Sequence, residues 1–307
     1  MRGIQFIPHN TNLPFTGSIR YIAYIISIIM VVGSFALLAF KGLNYGIDFK
    51  GGFLIEARSK EAIDISKMRE NLNALEIGEP KLQEFGSDKD VLIRIERQYG
   101  DEKAQMVALD QIKKTLGSDI EYRRIETVGP KVSSDLVRNG LYATAFAIIL
   151  IMLYIWVRFE WQFGLCCIIS LLHDCISIMG FYSLFSVEFS ETAFVAILTT
   201  LGYSVNDTVV IYDRIRENLR KYKKTPLADV INRSCNETLS RTVMTSTTTL
   251  LALLALYLFG GPVISVFSLH ILIGVAVGSL SSIFVSASLL LHFNIKRGDM
   301  IVSEQVS

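Results

Sequence analysis

Charged residues are scarce in this sequence, and they are very unevenly placed. Asp, Glu, Lys and Arg make up 19% of its 307 residues, against about 25% in ordinary soluble domains. None of them occurs in the stretches 21–40, 139–157 and 242–295. Uncharged runs of this length exclude a water-soluble globular protein and predict a polytopic α-helical membrane protein.

Cysteine is also scarce, and its placement excludes a disulfide framework. None of the four cysteines lies in the hydrophilic segment 41–138, and their spacing is not that of metal ligands. We therefore expect the four cysteines to pack as small apolar residues, and we predict no metal site. A cleavable signal peptide is not expected either, because 21–40 is longer than a signal h-region and no A-x-A-like site follows it.

Apolar residues, by contrast, are abundant and form blocks that predict six membrane-spanning helices. About 20 residues cross the hydrocarbon core. The 54 uncharged residues 242–295 would form a helix of about 80 Å, so Gly260-Gly261-Pro262 must divide them into two spans. The predicted spans are 19–40, 139–157, 163–185, 192–213, 241–259 and 263–293.

Basic residues predict how these spans are oriented. Eight Lys and Arg residues lie between 214 and 241, whereas the connections at 186–191 and 260–262 have none. Because basic loops stay in the cytoplasm, we predict a bacterial inner-membrane protein with both termini cytoplasmic. The cytoplasmic parts are then the N-terminus 1–18, a basic loop 214–240 and the tail 294–307, and the segment 41–138 is periplasmic.

The segment 41–138 has the patterns of a folded α+β domain. Apolar residues alternate at 53–58, 91–96 and 120–128, and a weaker strand is predicted at 82–85. Helices are predicted after the N-cap residues Asp64 and Asp101, ending before Gly78 and Gly117. The order β-α-β-β-α-β is the split βαβ, or ferredoxin-like, arrangement, with two helices on one face of a four-stranded antiparallel sheet.

Three sites inside the spans contain ionisable residues. Asn206-Asp207 lies in the fourth span, where an aspartate more often marks an ion pathway than a structural hydrogen bond. Arg241 opens the fifth span, where an arginine often only extends toward the water. His173-Asp174 lies at the centre of the third span, and either a proton relay or a hydrogen-bonded structural pair fits it.

Two further patterns have simpler interpretations. Gly46, Asp48, Gly51 and Gly52 do not have P-loop spacing, so the glycines are predicted to let the chain turn from helix into strand. Small residues at every fourth position of the sixth span predict close helix packing: Gly274, Gly278, Ser282 and Ser286.

Several motifs together resemble SecF, in the SecD/SecF family of protein-export membrane proteins. GYSVND followed by DRIREN is highly specific, whereas GIDFKGG is shared with SecD. The motifs are GIDFKGG at 46–52, RFEW at 158–161, HD at 173–174, GYSVND at 202–207, DRIREN at 213–218, LYLFGG at 256–261 and FSL at 267–269.

The resemblance implies a subunit that pairs with SecD to form a pump similar to resistance-nodulation-division (RND) transporters. It implies work with the SecYEG channel, with YajC and YidC as further candidate partners, on a preprotein chain. It also implies that Asp207 and Arg241 couple protons, the only cofactor-like species expected, to late, ATP-independent translocation at the periplasmic face. No comparable family role falls on His173 or Asp174.

Two alternative functions stay open. The chain could be half of a proton-driven RND-type exporter, although such proteins normally have far larger external domains, or a purely structural stabiliser of SecD and the channel. No Ser/His/Asp or metal constellation is present, and Asp174 is a poor second aspartate for a protease built on Asp207. We therefore expect no enzyme activity, membrane lipid around the spans, and no nucleic-acid partner.

Overall fold

The computed structural model describes most of the chain. The predicted cap Asp101 and nearly all of the predicted tail 294–307 lie outside the described residues, as do residues 1–11 of the predicted N-terminus. The described residues are 12–75, 77–78, 80–85, 87–96, 102–117, 119–293 and 295.

The chain forms a helical bundle and a second domain, which is inserted after the first helix of the bundle. In chain order they are α1 (Ser18–Phe40), β1 (Asn44–Tyr45), α2 (Ile47–Lys50), β2 (Gly52–Ser59), α3 (Ile65–Asn73), β3 (Lys81–Phe85), β4 (Ser87–Glu96), α4 (Glu102–Leu116), β5 (Ile120–Val128), α5 (Pro130–Arg158), α6 (Trp161–Leu184), β6 (Glu188–Phe189), α7 (Glu191–Lys221), α8 (Leu227–Phe259) and α9 (Gly261–Ser281). After α9 the chain continues through a π-helical turn (Ser282–Ser286), the short α10 (Ala287–Leu289) and a 3-10 turn (Leu290–His292).

The six predicted spanning helices are confirmed, since six helices in the described residues are long and apolar enough to cross a membrane. Their ends differ from the prediction in two places. The predicted basic loop 214–240 is largely helical, because α7 continues to Lys221 and α8 already begins at Leu227. Likewise, α5 begins at Pro130, inside the predicted domain 41–138. Charge limits how far a helix enters the membrane, but Lys, Arg and Glu are good helix formers and do not end it.

The inserted domain has the predicted split βαβ order. Its four strands run antiparallel in the order β3-β4-β2-β5. The predicted cap at Asp64 is present, because its side chain accepts a hydrogen bond from the Lys67 amide at 3.0 Å. The core lies between this sheet and the two helices, where Ile55 and Ile93 from the central strands meet Leu72 and Ile112.

Small residues bring the bundle helices close together, as the stripe in the last span predicts. A Cβ atom added at Gly274 would lie 2.1 Å from Thr200 Oγ1 on α7, and one added at Gly278 would lie 3.0 Å from Ser204 Cβ. Side chains at these positions would therefore push α7 and α9 apart. The same device seats α1 on α6, where a Cβ at Gly180 would lie 1.9 Å from Ser34 Oγ.

Candidate functional site

Asp207 lies inside the bundle, in the middle of α7. The residue is buried, with only 3% of its surface exposed. Two groups on α8 interact with its carboxyl group: the Ser246 hydroxyl as a hydrogen-bonding group and the Arg241 guanidinium through its charge. Ser246 also shares a hydrogen bond of 2.8 Å with Ser279 on α9. The Asp207 Oδ2 atom has no hydrogen-bond partner among the described residues, so the site can still accept a proton or a donor group.

Arg241 lies within α8 rather than at the start of a helix, because α8 begins at Leu227. Its side chain is exposed, and in the described part of the chain no ion pair within 4.0 Å joins it to Asp207. Arg241 therefore influences the Asp207 carboxyl group through its charge and not through a direct ion pair. Next to it, Thr242 is buried and its Oγ1 has no partner among the described residues.

Asn206 points away from this pocket. It is exposed on the outer face of α7, although Asp207 next to it is buried. On the same face, a Cβ atom added at Gly202 would meet nothing within 4 Å. The structure therefore does not bring Asn206 to the Asp207 carboxyl but places it on an open helix face.

His173 and Asp174 belong to a separate hydrogen-bond network. Asp174 is completely buried, accepts a hydrogen bond of 2.7 Å from Ser204 on α7, and lies 3.1 Å from His173 Nδ1. Ser282 extends this network by donating to the Ser204 carbonyl at 3.0 Å. Asp174 is bonded by Ser204 and His173, whereas Asp207 faces Ser246 and Arg241 of α8, so the two aspartates have different partners.

The glycine motif at 46–52 does more than turn the chain from helix into strand. A single helical turn, α2, lies between β1 and β2, and Gly51 and Gly52 follow it at φ 75° and 137°, where other residues are strained. Gly46 packs directly against the connection between α6 and α7, because a Cβ added there would lie 2.7 Å from Glu188 Oε1.

The motif also hydrogen-bonds that connection. β1 pairs with β6 in parallel, the Gly46 amide donates to the Phe189 carbonyl at 2.9 Å, and the amide of Glu191 donates to Asp48 Oδ2 at 2.9 Å. We call the contact of β1 and α2 with β6 and Glu191 the domain joint. It connects the end of the inserted domain to the first residue of α7.

Two ion pairs connect the domain joint to the sheet of the inserted domain. Arg94 on β4 lies 2.5 Å from Glu188 on β6, with side chains only 25% and 20% exposed. Lys50 on α2 lies 2.7 Å from Glu96 on β4, with side chains 42% and 55% exposed. In the sequence, Glu188 lies in the connection 186–191, which has no basic residue, and no pattern pairs it with Arg94.

Two family descriptions match the sequence. The family "Protein export membrane protein SecD/SecF, C-terminal" matches residues 108–296, and "SecD/SecF GG Motif" matches residues 36–63. The second match contains the glycine motif that forms the domain joint.

Relatives and solved structures agree with these matches. The chain is 45% identical over 298 residues to the protein translocase subunit SecF of Rickettsia bellii, covering 96% of this chain and 97% of the relative. It is 46% identical over 294 residues to that of Rickettsia prowazekii, covering 94% of each. The crystal structure of SecDF, a translocon-associated membrane protein from Thermus thermophilus, superposes with a TM-score of 0.80 at 34% identity. That match covers 94% of this chain but 39% of the SecDF chain.

Proposed function

The chain belongs to the SecD/SecF family of protein-export membrane proteins, and we propose that it acts as an accessory subunit of the Sec protein translocase. The chain spans 39% of the length of the SecDF chain that it resembles. We propose SecD as its partner, SecYEG as the channel served, a preprotein as cargo, and YajC and YidC as further contacts. The complex lies in the bacterial inner membrane, with the inserted domain in the periplasm.

Proton uptake and release at Asp207 drive this function. Arginine stays charged in proteins, so the titrating member of the pair is the aspartate. Burial favours the neutral form of a carboxyl group, and a nearby guanidinium favours the ionised form. Movement of Arg241 toward Asp207 or away from it therefore changes the proton affinity of the site.

One structural observation carries the proposal, the continuity of α7 between the proton site and the domain joint. α7 begins at Glu191, whose amide is held by Asp48, and it carries Asp207 about 24 Å further along its axis. A displacement of α7 that follows protonation is therefore delivered to the joint. From there the domain moves as a unit, which supports late, ATP-independent movement and release of the preprotein.

The substitution Asp207→Asn tests this proposal because it keeps the shape of the side chain and removes its titration. We expect normal protein levels and normal co-purification with SecD, but loss of export that depends on the proton gradient. Asp174→Asn is the matched control, a buried aspartate in the same bundle, and should be milder. Arg241→Met should resemble Asp207→Asn, whereas Arg241→Lys keeps the charge and should retain part of the activity.

The alternatives predict different results. A purely structural stabiliser would export a secreted reporter at the wild-type rate with Asn at position 207, and dissipating the gradient would still slow that export equally. Half of an RND-type exporter would lose efflux of a small molecule and leave reporter export intact. Either result would rule out proton coupling of protein export at Asp207.

A further inference from the structure

α6, α7, α9 and the π-helical turn after α9 contain a row of buried polar side chains that does not include Asp207 or its partners on α8. In its half away from the inserted domain, four hydroxyl groups pair with one another. Thr208 donates to Ser282 at 3.0 Å, and Tyr212 and Ser286 share a bond of 2.5 Å. At the end of this half that is nearer the inserted domain, the Ser204 hydroxyl donates a hydrogen bond of 2.7 Å to Asp174. These hydroxyl groups stabilise the contact of α7 with α6 and with the π-helical turn after α9.

The half nearer the inserted domain is different, because its polar atoms lack partners. Ser177, Tyr182, Thr200 and His270 are each 4% exposed or less. Among the described residues, none of their side-chain polar atoms has a hydrogen-bond partner, including both ring nitrogens of His270. We call these four residues the outer polar cluster.

The residues of the outer polar cluster follow one another along α6, α7 and α9 in steps of about one helical turn that lead toward Asp174. The rings of Tyr182 and His270 lie near the domain end, with centroids 4.9 Å apart. One helical turn further along α9, the backbone at Gly274 lies against Thr200. Thr200 lies one turn before Ser204, the donor to Asp174, and Ser177 lies about one turn from Asp174 on α6.

Leaving such groups unpaired is costly. Each buried polar atom without a partner costs about 1–3 kcal/mol, and native proteins satisfy such groups with buried water that makes about three hydrogen bonds. The clustered hydroxyls and the imidazole offer both donors and acceptors to such water. A dry apolar column would not place five unpaired atoms together.

We propose that the outer polar cluster binds a file of water molecules that connects Asp174 to the domain end of the bundle. Water there lets the His173–Asp174 pair exchange protons with that side of the membrane, separately from Asp207. This inference goes beyond proton coupling at Asp207 and does not depend on it. Its test is whether water reaches the cluster.

Single cysteines measure the access of water directly. Ala would first replace the four native cysteines, Cys166, Cys167, Cys175 and Cys235. Thr200→Cys or Ser177→Cys would then be introduced into the whole chain in native membranes. The matched controls are Leu201→Cys on α7 and Leu171→Cys on α6, which are equally buried but lie in an apolar cluster that contains none of the four residues of the outer polar cluster. N-ethylmaleimide is the probe, since it crosses membranes and reacts with the thiolate, which forms where water is present.

We expect both cluster positions to react at least about tenfold faster than their controls. A charged methanethiosulfonate added on the domain side should block them, and the same reagent on the other side should not. His270→Phe should slow both reactions to the control rate, whereas His270→Asn keeps donors and acceptors and should preserve them. Asp207→Asn should leave all these rates unchanged. Equal rates at cluster and control positions in a correctly inserted, protease-resistant chain would overturn the proposal.

Discussion

Arg94→Met should loosen the domain joint and leave the inserted domain folded. The substitution keeps the length of the side chain but leaves the Glu188 carboxylate without its ion-pair partner, in a site where it is only 20% exposed. An acceptor left unpaired in such a site costs about 1–3 kcal/mol. The opening equilibrium of the joint should therefore increase about 5- to 150-fold.

Hydrogen exchange measures this opening. The Gly46 amide is bonded to the Phe189 carbonyl and exchanges only when the joint opens. Peptides covering 44–52 and 186–191 should exchange faster in the variant by the factor above. Peptides from β2 and β4 should not change, because the sheet core remains packed.

A matched control lies beside this pair. Lys50→Met breaks the ion pair with Glu96, but both of these side chains are more than 40% exposed, so the cost should be about 0–1 kcal/mol. Glu188→Gln combined with Arg94→Met should restore most of the protection, because it removes the unpaired charge. Equal exchange in Arg94→Met and wild type, or equally faster exchange in β2 and β4, would refute the reasoning.

The same pair predicts the pH dependence of the joint. Burial raises the pKa of Glu188 above its ordinary value, and the Arg94 guanidinium opposes this shift. The closed joint therefore binds a proton more tightly than the open joint does, so closure is favoured at low pH and weakens as pH rises through the raised pKa. In Arg94→Met the pKa of Glu188 should rise further, because the guanidinium that lowers it is gone. Closure should therefore weaken over a range that extends to higher pH.

Two further substitutions and fusions test packing and orientation. Gly274→Leu should destabilise the bundle strongly, because its Cβ would lie 2.1 Å from Thr200 Oγ1, whereas Gly33→Leu has nothing within 4 Å and should be neutral; thermal unfolding in detergent compares them. Alkaline phosphatase fused at Ser87 should be active and at Lys223 inactive, because basic residues stay in the cytoplasm; the reverse pattern would invert the proposed topology.

Local patterns in the sequence were sufficient to predict the elements of the fold. Uncharged runs set the number of helices, and the periods of two and of about 3.6 residues set the strands and helices of the domain. Helix ends are less predictable, because the charged residues around Arg214 mark where the fourth span leaves the membrane but not where its helix ends. They instead prolong α7, where Arg214 contacts Glu237 of α8 at 2.7 Å.

The candidate site was predictable only where chain neighbours form it. α7 and α8 follow each other as an antiparallel pair, so Asp207 and Arg241 could be placed near one another. The outward direction of Asn206 was also available, since successive helical residues point about 100° apart. The ion pair of Arg94 with Glu188 was not, because it joins two elements of the chain whose contact depends on how the domain docks.

In the proposed mechanism, the free energy of one proton matches the strength of the domain joint. One elementary charge moved across 100 mV supplies about 2.3 kcal/mol, and losing the Arg94–Glu188 pair costs about 1–3 kcal/mol. Unfolding a domain requires about 5–15 kcal/mol, which is more than one proton supplies. A proton bound at Asp207 can therefore open the joint through α7 but cannot unfold the domain, so the work it performs must be movement of an intact domain.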